Sequence, residues 1–305
     1  MSKVTLLKEK LLQIHAFQLY TTLTPPQTVS TFQEVNHLIN TQSSQLSEIE
    51  YYDLIELQFQ LALIMGKDDI AKTLLDRIND KFGGWESERL AVLRIRYLTV
   101  TKGIEAAMDF IESRPNKKEL KVLKAKFHLA RLSGANEEDF VILLKGLLMF
   151  DPLDVETLTE LTESYYKLGH FDKAIFTLED VLMIQPYNHI VFARLGELYH
   201  ASYLRGDGVT SSGKGKDANK ENLELLKSSI QHFLRSVELC SNFVRGWSGL
   251  LVTTKALISK DNIDDKTSLK YRKLQDLAKK QLQLIVIDKD NTNQNVAFAE
   301  KVLAL

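Results

Sequence analysis

The sequence predicts an all-α chain, a right-handed α-solenoid of stacked helix pairs with atypical capping helices at both ends. Three observations carry this. Glycine (14) and proline (5) are scarce among the 305 residues, and helix interiors tolerate few of either. Apolar residues recur at spacings of three and four, the signature of one buried helix face. Residues 165–186 ("YYKLGHFDKAIFTLEDVLMIQP") join two such faces through a single glycine and stop on a proline.

That stretch sets the register. Leu158, Leu161 and Tyr165 form one stripe; Phe171, Ala174, Leu178, Val181 and Ile184 form the other, with Gly169 at the turn. Asp172 falls in the first turn of the second helix, where a negative charge complements the helix dipole. Ala174 is small where paired helices approach most closely. The order of large residue, Gly, Ala, apolar residue and Pro matches the tetratricopeptide unit of roughly 34 residues. One period upstream lie Lys124, Phe127, Leu144, Leu147, Phe150 and Pro152. Downstream, Phe192, Leu195, Gly196 and Tyr199 open another first helix, whose partner resumes at Ile230, Phe233, Val237 and Leu239; Trp247 and Leu250 begin a further one. Fainter copies are Ile55 to Met65 with Gly66, Ala71, Leu75 and Ile78, and Leu90, Leu93, Tyr97, Ala106 and Phe110 with Pro115 out of register.

The ends differ from the middle. Helices are expected over 3–22 and 27–40, separated by "TPP" at 24–26, and over 268–287 (Lys-rich) and 293–304. Terminal repeats cap an open core and so depart from the pattern. The expectation is one continuous solenoid over residues 1–305. Its single interruption is "RGDGVTSSGKGKDANKEN" at 205–222, whose near absence of apolar residues marks a mobile surface insertion.

Lys plus Arg is 39 and Asp plus Glu 40, so a net charge of -1 gives no reason to expect non-specific nucleic-acid binding or an attraction to anionic lipid. The single cysteine, Cys240, can form no internal disulfide, which suits a reducing compartment, and is expected as a small core residue near a helix end. The N-terminus has lysines among its leucines and lacks the uninterrupted apolar stretch of a signal peptide. The densest apolar run, Phe140 to Phe150, is broken by Lys145 and Gly146 and falls short of the ~20 residues that cross a bilayer. A cytoplasmic protein is the expectation.

Candidate chemical motifs fail one by one. "GVTSSGK" at 208–214 spaces its glycines and Lys214 like a phosphate-binding loop, but a helix precedes it and Gly215 stands where a Ser or Thr would hold magnesium. Glu34 with His37 and Glu197 with His200 each set a carboxylate and an imidazole one turn apart. A di-iron site needs two further glutamates on facing helices of one bundle. "DKDNTNQNVAFAE" from Asp288 opens like a calcium loop, yet Asn293 replaces the obligatory glycine and Ala299 the bidentate glutamate. No catalytic residue, cofactor or metal is expected.

What remains is a surface. First helices of tetratricopeptide pairs line the groove of such arrays. Glu163, Tyr166, Arg194, Glu197 and His200 lie off the core stripe on those helices, a polar face with aromatic content suited to protein contact, whereas Tyr165 and Tyr199 sit on the stripe as core residues. A groove that grips an acidic peptide tail, as in co-chaperone adaptors, needs Lys, Arg and Asn. The matching places hold Thr159, Glu163, Ala193 and Glu197, so the adaptor is the second reading.

Residues 158–200 ("LTELTESYYKLGHFDKAIFTLEDVLMIQPYNHIVFARLGELYH") and 221–250 ("ENLELLKSSIQHFLRSVELCSNFVRGWSGL") resemble subunit 2 of the endoplasmic reticulum membrane protein complex. The tetratricopeptide pattern is generic; the "PYNH" turn at 186–189 and the "NLELL" helix make the likeness specific. The resemblance implies a non-catalytic scaffold, peripheral on the cytosolic face of the endoplasmic reticulum. It implies contact with cytosolic parts of membrane subunits, notably subunits 3 and 5, and membrane association only through them. The complex inserts tail-anchored and multipass proteins, with the insertase chemistry in the membrane subunits.

Overall fold

The computed structural model describes residues 3–114, 119–206, 216–259, 265–287 and 293–304. The described residues are helical apart from turns, with no strand among them. The chain divides into two compact units, Met1–Ala135 and Asn136–Leu305.

The first unit holds α1 (Lys3–Ala16), α2 (Pro25–Thr41), α3 (Glu48–Ile64), α4 (Asp68–Phe82), α5 (Glu88–Thr101), α6 (Ile104–Glu112) and α7 (Leu120–Leu132). Its main core gathers Leu11, Val35, Leu54, Phe59, Leu61 and Leu75 from α1 to α4. A smaller cluster lies under α5 to α7 around Ala91, Ile95, Ala107 and Leu129. The helix expected over 3–22 ends at Ala16. Gln18 turns into the left-handed region at φ 53, and Leu19–Thr21 is a short 3-10 turn. "TPP" is not a separator, because Pro25 and Pro26 form the first turn of α2 behind the N-cap Thr24. Proline suits that place, where its missing N–H has no partner to lose.

The second unit holds α8 (Glu137–Leu148), α9 (Val155–Lys167), α10 (Phe171–Ile184), α11 (His189–Arg205), α12 (Lys216–Leu239), α13 (Val244–Ile258), α14 (Asp265–Ile287) and α15 (Asn293–Leu303). The α9/α10 pair is as the sequence predicts. Gly169 turns at φ +73, and Ala174 is fully buried. Asp154 caps α9 by accepting from the Thr157 N–H at 3.2 Å. Asn188, in the "PYNH" turn, caps α11 by accepting from the Ile190 N–H at 3.0 Å and the Val191 N–H at 3.3 Å. Farther along, the ring of Phe233 on α12 is held between two glycines. A Cβ on Gly196 of α11 would lie 2.9 Å from it, and one on Gly249 of α13 only 2.2 Å. Ser229 and Ser236 of α12 donate to the carbonyls of Gly196 and His189, each at 2.7 Å, and so tie α12 to α11.

Several expectations shift. In the α5/α6 pair the fully buried alanine is Ala107, with Ala106 only half-buried. Gly103, at φ +92, is itself the N-cap of α6, so this turn is one residue tighter than the Gly169 turn. Phe150 is exposed because α8 ends at Leu148. Cys240 follows the last residue of α12 and is only half-buried. The second helix expected to resume at Ile230 begins at Lys216, so residues 216–222 are helical and not part of a loop. Ala218, Lys220 and Glu221 are good helix formers, and Leu223 and Leu226 give the extended helix an apolar face. The P-loop-like residues 208–214, Pro115 and the first part of the calcium-loop-like segment (288–292) lie outside the described residues; that segment continues into α15 from Asn293.

Candidate functional site

The face expected on the first helices exists in the second unit as a ladder of charges. Glu163 projects from α9, Arg194 and Glu197 from α11, and Arg245 from α13. The Arg194 guanidinium grips Glu163 with one edge, Nε to Oε1 at 2.7 Å and Nη2 to Oε2 at 2.6 Å, and reaches Glu197 Oε2 through Nη1 at 2.8 Å. Arg245 closes the ladder on Glu197, with Nη2 donating to Oε2 at 2.5 Å and Nε donating to Oε1. Two arginines thus neutralise two glutamates across three helices. Planar bidentate geometry suits guanidinium–carboxylate pairs and fixes their register.

Tyr166 completes the face. Its ring lies under Arg194, 4.6 Å from the guanidinium carbon, and meets Phe171 edge-on at 5.7 Å. It stays 37% exposed, so the Arg194 stack holds a wettable aromatic surface in a fixed orientation. The Arg194 side chain is only 17% exposed. Burial alone would lower its pKa, but hydrogen bonds and charges from Glu163 and Glu197 together outweigh this and the net shift is upward. Arg194 is therefore a permanent cation and a structural one.

His200 lies one turn beyond Glu197 and outside the ladder. Its Nδ1 is 3.0 Å from Thr253 Oγ1, which is 3.4 Å from Ser229 Oγ, and Tyr203 meets the imidazole edge-on. Burial pushes the His200 pKa down. Tyr165 is buried as expected. Tyr199 is only half-buried, since its hydroxyl contacts Glu179 at 3.4 Å and its ring stacks flat on His232 at 5.2 Å.

Spacing alone does not lead to Arg245. It lies beyond the long α11–α12 segment, which breaks the period that links Glu163 to Arg194. Glu34 bonds Lys10 at 2.8 Å, and Glu197 is taken up by the ladder, so both carboxylates of the Glu/His pairs already have cationic partners. No group of His, Cys, Asp and Glu that could hold a metal occurs among the described residues. Nor is any described helix long and apolar enough to cross a membrane.

Fold and face together define a helical-repeat protein of the tetratricopeptide class. The C-terminal part of a tetratricopeptide-containing protein from Cytophaga hutchinsonii superposes with a TM-score of 0.52, covering 94% of this chain and 98% of that one at 12% identity. No protein-family model matches the chain. Within the class, the chain is similar to subunit 2 of the ER membrane protein complex. The Saccharomyces cerevisiae subunit is 26% identical over 286 residues, 90% of this chain and 93% of that protein. The Xenopus laevis subunit 2-A is 26% identical over 77% of this chain and 71% of its own length. The tetratricopeptide repeat protein oca3 of Schizosaccharomyces pombe is 30% identical over 66% of this chain and 65% of its own. The resemblance to subunit 2, first carried by residues 158–250, thus extends along most of the chain.

Proposed function

We propose that this chain is a non-catalytic scaffold subunit of an endoplasmic reticulum membrane protein complex, acting on the cytosolic face of that membrane. Residues 1–305 serve it as one continuous array. Its first-helix face, Glu163, Tyr166, Arg194, Glu197 and His200, holds cytosolic segments of membrane subunits, with subunits 3 and 5 the expected partners. The insertion of tail-anchored and multipass proteins then depends on it indirectly. What carries this reading is the near end-to-end likeness to the yeast subunit, 90% of this chain against 93% of that one.

The ladder supports a scaffold over the peptide-gripping adaptor. An acidic peptide tail needs unspent cations, and Arg194 and Arg245 are already committed to Glu163 and Glu197. A pre-organised face offers orientation instead, with Tyr166 giving rigid contact area at little entropic cost. Tyr166→Ala is the clean probe, because the ring is exposed on one side and the ladder remains. The tagged chain is recovered from detergent-solubilised membranes beside the wild type. The variant should stay folded by circular dichroism and lose multispanning partners. Recovery of a cytosolic chaperone in place of membrane subunits would favour the adaptor.

A further inference from the structure

Helix α14 is apolar on two opposite faces. One face, Tyr271, Ala278, Leu282 and Ile285, is buried in the core it shares with α13 and α15. The other carries Leu269, Leu277, Leu284 and Ile287, all exposed, Ile287 by 74%. At the α-helical repeat these four fall within a wedge of about 80°, and Lys273 and Lys280 fall in the same wedge. Read along the helix, the outer face alternates Leu269, Lys273, Leu277, Lys280, Leu284, Ile287. Lys270, Arg272 and Lys279 flank it, and Asp276 is its only acidic neighbour between 268 and 287. A chain of net charge -1 has thus gathered five basic residues and one acidic one on this segment.

Elements that cap a solenoid end need a polar outer face for solubility, so exposed leucines here call for a covering. The alternation says what covers them. Against a partner helix, Lys273 and Lys280 would fall in the seam with Leu277 and Leu284, and lysine in a seam lowers the stability of the pairing. Against a bilayer the same lysines run their methylene stems along the apolar layer and place their ammonium groups at the headgroups. We propose that the outer face of α14 lies on an anionic membrane surface, its leucines at the headgroup boundary and its lysines against lipid phosphates. This goes beyond the scaffold reading, in which partners alone bring the chain to the membrane, and does not depend on it.

The test is flotation of the full-length chain with vesicles of phosphatidylcholine plus phosphatidylserine, against pure phosphatidylcholine. Binding is expected only to the anionic vesicles and should weaken with added salt. Lys273→Gln with Lys280→Gln should weaken it about thirty-fold. Leu277→Ser with Leu284→Ser should abolish it while leaving the melting temperature unchanged, since both leucines are exposed. Lys72→Gln with Lys102→Gln, an equal loss of charge in the first unit, should have no effect. Equal weakening by this control would reduce the effect to net charge and overturn the proposal. So would absence of binding to anionic vesicles, or lipid-free self-association abolished by the serine pair, which would make the face a contact between copies.

Discussion

The two units use the same device to different lengths. In the first, Arg89 on α5 reaches back to α3, bonding Asp53 at 2.9 Å and Glu56 at 2.6 Å, and beyond it Glu56 meets only the imidazole of His15 on α1, at 3.6 Å, with no second arginine among the described residues. In the second, Arg194 reaches back from α11 to Glu163 on α9, and Glu197 passes the link on to Arg245 of α13. Arg89 is 56% exposed and Arg194 17%. An arginine reaching from one first helix to the preceding one can thus be a surface tie or part of a half-buried lattice. Only the second kind orients an aromatic beside it.

The largest effect should come where the units agree. Ala71 and Ala174 stand five residues after Gly66 and Gly169, and both are fully buried. An arginine at either place overpacks the helix pair and buries a charge, at a cost of about 3 kcal/mol or more. Thermal melts of Ala71→Arg and Ala174→Arg should both fall sharply. A neutral result in one unit would show that its helix pair follows a different register.

That shared grammar is what the sequence made legible. The Gly–Ala–Leu–Val order at 169, 174, 178 and 181 recurs at 66, 71, 75 and 78 with isoleucine in the last place, and period counting finds both pairs. Counting fails where the turn between paired helices changes length. Gly103 caps α6 directly and moves the buried alanine by one place, and α12 starts upstream of its first recognised stripe residue. Of the candidate face, Glu163, Tyr166, Arg194 and Glu197 were legible as off-stripe positions. Their mutual pairing was not, because ion pairs between neighbouring helices leave no periodic trace, and Arg245 was hidden behind the long connection. The stripe also mistakes amphipathic residues for core ones, as Tyr199 shows.

The next effect is peculiar to the second unit. Gly249→Ala would push a methyl group into the Phe233 ring, and with Gly196 closing the other side the ring has little room to move. A cost of about 1–3 kcal/mol follows. A stable Gly249→Ala, measured by urea unfolding, would mean that α12 slides between its neighbours.

The ladders themselves should separate the units further. Arg194→Met takes from Glu163 its bidentate partner, in a half-buried setting where Glu197 keeps only Arg245, and should cost about 1–2 kcal/mol, less than a fully buried pair. Arg89→Met should cost under about 1 kcal/mol, since that arginine is mostly solvated. Equal losses would erase the distinction between a lattice and a surface tie.

The smallest effect is a difference in acid sensitivity, and it can be read unit by unit. Burial lowers the pKa of His200 and of His232 below the ordinary 6.5. Below that value the unfolded chain binds protons that the folded unit resists, so stability in the second unit declines as pH falls through about 6.5. In the first unit the perturbed buried group is Glu56. Burial alone would raise its pKa, but hydrogen bonding to His15 and the charges of Arg89 and His15 outweigh that and hold it below 4.5. Its contribution is present above 4.5 and is lost only as the pH falls through its lowered folded value. The second unit should therefore loosen first on acidification. The two tryptophans report on this separately, Trp85 in the first unit and Trp247, buried, in the second. With Trp85→Phe the remaining emission should lose thermal stability below about pH 6.5, and with Trp247→Phe it should hold until more acid conditions. His232→Phe, which keeps a flat ring against Tyr199, should remove part of the early transition. If both tryptophans respond together, the two units unfold as one cooperative block, and the contrast between them ends at their side chains.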